Sequence, residues 1–172
     1  TNIFYLVYIT NPNAEYAIRF PKITITAKDI DGKILKTEKM VLSGIAAGDE
    51  YNYGNNISYE GNAPATVEIS VGNSDDDYVA QSGSDIIQSG DLSISNTSKN
   101  DGTSKTTFTG EVTNNSTEDL DTVAMIVYYK SGDSVGVQTT YVDDLKSGET
   151  QPFEISVYTD YIVEDFYEIY AL

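Results

Sequence analysis

The chain contains no cysteine, no histidine and no tryptophan. Without Cys and His there is no Ser–His or Cys–His nucleophile pair, no thiol redox centre, no haem attachment and no ordinary zinc site. Basic residues are also scarce: 10 Lys and Arg stand against 27 Asp and Glu, for a formal net charge of −17. Phosphate backbones are bound by clustered Lys and Arg. Nucleic acid is therefore not an expected partner, and anionic membrane surfaces are disfavoured for the same reason. No apolar run reaches the ~18 residues of a spanning helix, and no basic-then-apolar signal segment is present. The opening IFYLVYI (3–9) already reads as strand core, so a signal or anchor segment is expected to precede it.

The most informative pattern present is a repeat. The first copy reads FYLVYITNPN (4–13), ITITAKDIDGK (23–33) and IAAGDEYNYGNNIS (45–58). The second reads FTGEVTNNS (108–116), AMIVYYKSGDS (124–134) and LKSGETQPFEISVY (145–158). Thr10-Asn11 matches Thr113-Asn114, and Gly48-Asp49 matches Gly148-Glu149. For 172 residues, a repeat of this length predicts two domains, each near the ~100 residues of a β-sandwich.

Strand signals dominate both copies. Ile23, Ile25 and Ala27 alternate with Thr24, Thr26 and Lys28, and Val67, Ile69 and Val71 alternate with Glu68 and Ser70. That period of two is the mark of a half-buried strand. The stretch 123–129 is nearly all apolar, as in a central strand covered on both faces. Residues 166–170 read as a terminal strand, and a helical turn is expected at most near 160–165. Asp31-Gly32, Ser131-Gly132, Ser147-Gly148 and Asn11-Pro12-Asn13 supply turn chemistry. Asn100-Asp101-Gly102 marks a hairpin turn, with 95–105 read as its loop. The predicted fold class is all-β, two immunoglobulin-like sandwiches in tandem, spanning 1–80 and 91–172. An acidic, Ser- and Gly-rich connector (81–90) would join them, with Tyr78, Val79, Ile86 and Ile87 packing at the joint.

The segments FTGEVTNNS, DTVAMIVYYKSGDSVG and DDLKSGETQPFEI resemble the FxLYD domain. Phe108, Gly110 and Val112 match its Phe-x-Gly-x-Val strand, 126–129 its aromatic strand, and Gly148-Glu149 its turn. Tyr128 and Tyr129 stand where the family often has an aromatic-Tyr-Asp run, with Lys130 replacing the acid. The likeness covers 106–157. In the first copy it is looser, with Phe4 opening the strand and Leu6 in place of the glycine. The resemblance implies an immunoglobulin-like fold and a secreted, lipid-anchored or wall-associated location in Gram-positive bacteria. The tandem arrangement looks like secreted proteins of gut Firmicutes. It carries no catalytic residues to transfer.

Candidate sites are few. Asp29-Ile30-Asp31-Gly32 begins like a calcium loop, but its twelfth position is Met40 where a Glu ligand is needed, so a hairpin turn is expected. Asp75, Asp76 and Asp77, with Asp85 nearby, are calcium candidates at the connector, weighed against a solvated acidic run. Of the 14 tyrosines, Tyr51, Tyr53 and Tyr59 are the best candidates for stacking on a glycan or other small ligand, weighed against strand packing. A second group comprises Tyr158, Tyr161, Tyr167 and Tyr170. No cofactor and no enzymatic activity are expected. The function expected is a non-catalytic extracellular or cell-surface module, a spacer or protein-interaction unit, with glycan or small-ligand binding as the alternative. Residues 4–9 and 166–170 are expected strand edges open to a partner.

Overall fold

A computed structural model of the chain describes residues 1–131, 134–158 and 167–172. The expected helical turn near 160–165, the Ser131-Gly132 turn glycine, Tyr161 and Phe166 lie outside the described residues. The described strands are β1 (Asn2–Thr10), β2 (Tyr16–Arg19), β3 (Lys22–Lys28), β4 (Ile34–Val41), β5 (Gly44–Ile45), β6 (Glu50–Ser58) and β7 (Thr66–Gly72). They continue as β8 (Tyr78–Ala80), β9 (Leu92–Asp101), β10 (Lys105–Asn114), β11 (Leu120–Ser131), β12 (Ser134–Leu145), β13 (Thr150–Tyr158) and β14 (Tyr167–Ala171). Helix is limited, among the described residues, to single 3₁₀ turns at Asp75–Asp77, Gln81–Gly83 and Ser89–Asp91. The protein is all-β.

Contacts divide the chain into two compact units. The first comprises Thr1–Ile3, Thr10–Glu50 and Asn56–Ile86; the second comprises Phe4–Ile9, Tyr51–Asn55 and Ile87–Leu172. A division by sequence position alone has no place for the two short segments of β1 and β6 in the second unit. The reason is local packing: Gly54 lies against β12, and a Cβ there would come 2.7 Å from Val137.

The second unit is built from two three-stranded sheets, ordered β13-β10-β9 and β12-β11-β14. Strand β10 alternates between inward and outward residues along its whole length, which places Phe108, Val112 and Asn114 inside. Phe153, Ile155 and Val157 of β13 join them, with Val123, Met125 and Val127 of β11 and Val142 and Leu145 of β12. Apolar residues of both sheets thus share one core, the arrangement of a sandwich. Ile126 is buried on the opposite face of β11, as expected for a strand covered on both sides. Gly110 pairs with Phe153 across the ladder, and a Cβ at Gly110 would come 2.6 Å from that ring. The glycine in the Phe-x-Gly-x-Val strand is there to admit an aromatic from the neighbouring strand. Gly110→Ala is expected to cost about 1–3 kcal/mol through overpacking, read as a lowered urea midpoint with an unchanged m-value.

One sequence expectation is corrected here. The stretch 95–105 is mostly ladder: β9 runs to Asp101 and pairs antiparallel with β10. Its polar residues sit in a strand that is largely exposed, where side-chain polarity does not oppose pairing. A register shift between Thr109 and Glu111, beside the left-handed Asn96 (φ 52°), takes up one extra residue on β9. Strand β12 pairs antiparallel with β11 from Leu145 to Ser134.

In the first unit β2 lies between β5 and β8, and β3 lies between β4 and β7. Ile23, Ile25 and Ala27 are fully buried and alternate with Thr24 and Thr26, as their period predicts. The turn at 29–33 is a hairpin: the Asp29 carboxylate accepts the Asp31 and Lys33 amides (3.0 and 2.9 Å), and Gly32 takes φ 80°. Tyr78 and Val79 form β8 and pair with Ile18 and Ala17. The following segment is tied down by Gln81. Its side chain accepts the Ala47 amide at 2.8 Å and donates to the Ile86 carbonyl at 2.9 Å.

The repeat has a physical anchor, a pair of asparagines with no exposed surface, Asn11 and Asn114. The Asn11 amide nitrogen donates to the carbonyls of Tyr16 and Ala46 (2.8 and 2.9 Å), while its oxygen accepts the Asn13 backbone amide at 3.1 Å. Asn114 repeats this with Glu118 and Leu145 (2.7 and 3.2 Å) as acceptors and the Ser116 amide as donor at 2.9 Å. Each also donates its backbone amide to the matched turn residue, Asp49 or Glu149. Gly48 and Gly148 take φ 72° and 74°, the left-handed region that favours glycine. Counting back from these asparagines, Tyr5, and not Phe4, stands where Phe108 does. Tyr5 and Ile9 are buried like Phe108 and Val112, whereas Phe4 faces outward. A one-residue difference in a strand exchanges its faces.

Candidate functional site

Tyr51 and Tyr53 lie on β6 and are half-buried. The Tyr53 ring packs at a tilt on Tyr5, 6.3 Å between centroids, and its hydroxyl accepts the Asn55 side-chain amide at 2.9 Å. Tyr59 is half-buried as well. Its hydroxyl donates to the Asn62 carbonyl at 2.8 Å, and its backbone exchanges hydrogen bonds with Thr1. Tyr51 and Tyr53 belong to the second unit and Tyr59 to the first. The more exposed tyrosines are Tyr8, Tyr16, Tyr78, Tyr141 and Tyr158.

Asp75, Asp76 and Asp77 form one exposed 3₁₀ turn. The Asp77 carboxylate accepts the Ser74 backbone amide at 2.6 Å. That bond holds its pKa below the usual aspartate value. Asp85 is engaged with Arg19 at 2.9 Å. Among the described residues no three carboxylates gather as a metal site. The acidic turn therefore has a local structural account, with Asp77 closing it on Ser74.

The expected strand edges are placed as follows. β1 pairs with β6, with Thr1 meeting Tyr59 at one end and Asn11 meeting Asp49 at the other. β14 lies at the edge of β12-β11-β14. On β14 the Tyr170 hydroxyl donates to Glu168 and lies 3.4 Å from the Tyr8 hydroxyl. Burial, followed by the bond to Glu168, raises the Tyr170 pKa far above the phenol range.

The edge that departs most from its sequence pattern is β7. Its alternation predicts a buried face, and its partners in the ladder are buried: Val67, Ile69 and Val71 pair with Ala27, Ile25 and Ile23. Yet every residue of β7 is exposed, and Val67, Ile69 and Val71 retain 39%, 42% and 46% of their surface. The reason is position. β7 is the last strand of β4-β3-β7, and the cover over β3 does not extend across it.

The two edges of this sheet are treated differently. β4 carries Lys36, Glu38 and Lys39, and a register shift interrupts its pairing between Ala27 and Lys28. Charges and bulges are the usual guards against strand addition. β7 carries no proline and pairs with β3 in unbroken register, and its single charge, Glu68, is held by Lys28 at 2.6 Å. This ion pair is exposed and contributes little stability, but it leaves the β7 surface close to neutral. An unguarded, nearly neutral edge with an apolar row is suited to main-chain pairing with another strand.

No helix of the described residues is long and apolar enough to cross a membrane. No protein-family model and no curated protein sequence matches the chain.

Proposed function

We propose that the chain is a non-catalytic extracellular module, two immunoglobulin-like sandwiches in tandem at a bacterial surface, which binds proteins by strand addition along β7. The observation that carries this reading is the exposed apolar row Val67, Ile69 and Val71 on an edge strand without guards. The FxLYD-like residues of 106–157 support the extracellular setting, and the net charge of −17 suits a soluble, self-repelling surface. In strand addition the main chain supplies affinity, and alternate side chains supply selectivity.

The test uses a panel of extended peptides with alternating apolar and polar residues, titrated against the purified chain by fluorescence polarisation. A subset should bind, and Ile69→Lys should weaken those peptides by at least about tenfold. If no peptide binds to chain that sediments as a monomer, or the bound ones ignore Ile69→Lys, the strand-addition reading fails.

A further inference from the structure

We propose that the strand added to β7 is β7 of a second copy of this chain, paired antiparallel about a two-fold axis through Ile69. The inference rests on the strand-addition reading and names its partner. The first argument is the order of residues in Thr66–Gly72, TVEISVG. Antiparallel pairing centred on Ile69 sets Val67 of each copy opposite Val71 of the other, and Ile69 opposite Ile69. These residues lie on the face where β3 places Ala27, Ile25 and Ile23. The two half-exposed apolar rows therefore cover each other and continue a row that is already buried. Directly opposed apolar pairs are a unit of stabilisation in such ladders.

Charge selects this arrangement over its alternatives. In the centred register Glu68 faces Ser70 of the second copy, so no carboxylates oppose each other. The acidic turn Asp75–Asp77 follows the C-terminal end of β7, so antiparallel pairing sets the two copies of that turn at opposite ends of the shared ladder. Parallel pairing in register would set Glu68 on Glu68 and the acidic turn on its own copy. Sliding the antiparallel pair by two residues in one direction also opposes Glu68 to Glu68. Sliding it in the other direction leaves Thr66 and Val67 without partners. A slip of one residue would turn the apolar rows against polar ones. The centred antiparallel register alone pairs the whole strand without opposing like charges.

Beyond the interface the two copies repel, since each carries −17. Salt shortens the reach of that repulsion, to about 8 Å at physiological ionic strength. Self-association should therefore strengthen as salt rises, the opposite of what recruitment of a basic partner by this acidic surface would show.

The experiment is sedimentation velocity of the purified chain across a concentration series, in salt from about 20 to about 500 mM. The wild type should form a concentration-dependent dimer favoured by salt. Ile69→Lys should be monomeric with an unchanged circular dichroism spectrum, because residue 69 is exposed. The absence of cysteine from the chain allows the register to be read directly. Under mild oxidation Ile69→Cys should link into a covalent dimer. Val67→Cys should not, since four residues of offset at ~3.4 Å each separate its two copies, beyond the ~7 Å that a disulfide spans. A dimer that persists in Ile69→Lys, or Val67→Cys linking as readily as Ile69→Cys, overturns the proposal. A wild type that stays monomeric yet binds the extended peptides overturns self-pairing and leaves the strand-addition reading intact.

Discussion

Phe108→Ala is expected to remove about 3–5 kcal/mol of stability, a large share of the ~5–15 kcal/mol that holds a typical domain folded. The ring has no exposed surface and sits in the core made by β10, β11, β12 and β13. It also packs at a tilt on Tyr167, with centroids 4.8 Å apart. Truncation to Ala removes the transfer free energy of the ring and opens a cavity between the two sheets. Strand β10 is held by ladders on either side of Phe108, to Ile155 and Lys99, so the site can collapse only partly. Phe4→Ala is the control. Phe4 opens the first repeat as Phe108 opens the second, but it is 38% exposed, and its loss should cost less than about 1 kcal/mol. Urea unfolding followed by circular dichroism separates the two outcomes. Equal losses would mean that burial, as assigned to Tyr5 and Phe4, is the wrong way round.

The second large effect belongs to Asn114. Asn114→Ala should cost about 2–5 kcal/mol, because the Leu145 carbonyl and the Ser116 amide lose buried partners at roughly 1–3 kcal/mol each. Asn114→Asp is the sharper variant because it preserves shape. An ionised carboxylate would lose both donations and point a charge at the Glu118 and Leu145 carbonyls. Burial and those carbonyls would raise its folded-state pKa above the unfolded value of about 3.9. The folded protein then binds that proton more tightly than the unfolded chain does. Stability of Asn114→Asp relative to wild type should accordingly recover as pH falls through the raised pKa, and level off below the unfolded one. Asn114→Ala should show no such recovery. Paired urea melts of both variants at neutral and mildly acid pH check this, and a flat difference for Asn114→Asp would show that the carboxylate escapes to solvent.

Much of the all-β architecture was legible in residue order because its causes are local. The alternation of Ile23, Ile25 and Ala27 with threonines, the Asp29-to-Lys33 turn, and the glycines at 48 and 148 act within a few residues of themselves. The repeat was legible for the same reason, since Asn11 and Gly48 recur as Asn114 and Gly148. The purpose of those asparagines was not legible. Asn in a loop reads as a turn former, and only the folded chain brings the carbonyls of Ala46 and Leu145 to the side chains. The polar stretch 95–105 read as loop because composition does not record that β10 offers it a hydrogen-bonding edge. Tyr51, Tyr53 and Tyr59 are neighbours in sequence. The fold instead places two of the three in one unit and one in the other.

Residue order alone establishes that the chain is a repeat of short strands with period-two faces, fixed turns and none of the residue types for Cys or His chemistry. Those properties follow from backbone preference and side-chain polarity, which each residue carries with it. Which of the apolar faces is covered is set by the assembled fold. Val67, Ile69 and Val71 have the same pattern as Ile23, Ile25 and Ala27, yet one row is sealed and the other is open. The difference is that β3 has a neighbour on each side, while β7 ends the sheet. Burial depends on what lies beside and above a strand, a property of the assembled fold that no residue carries alone.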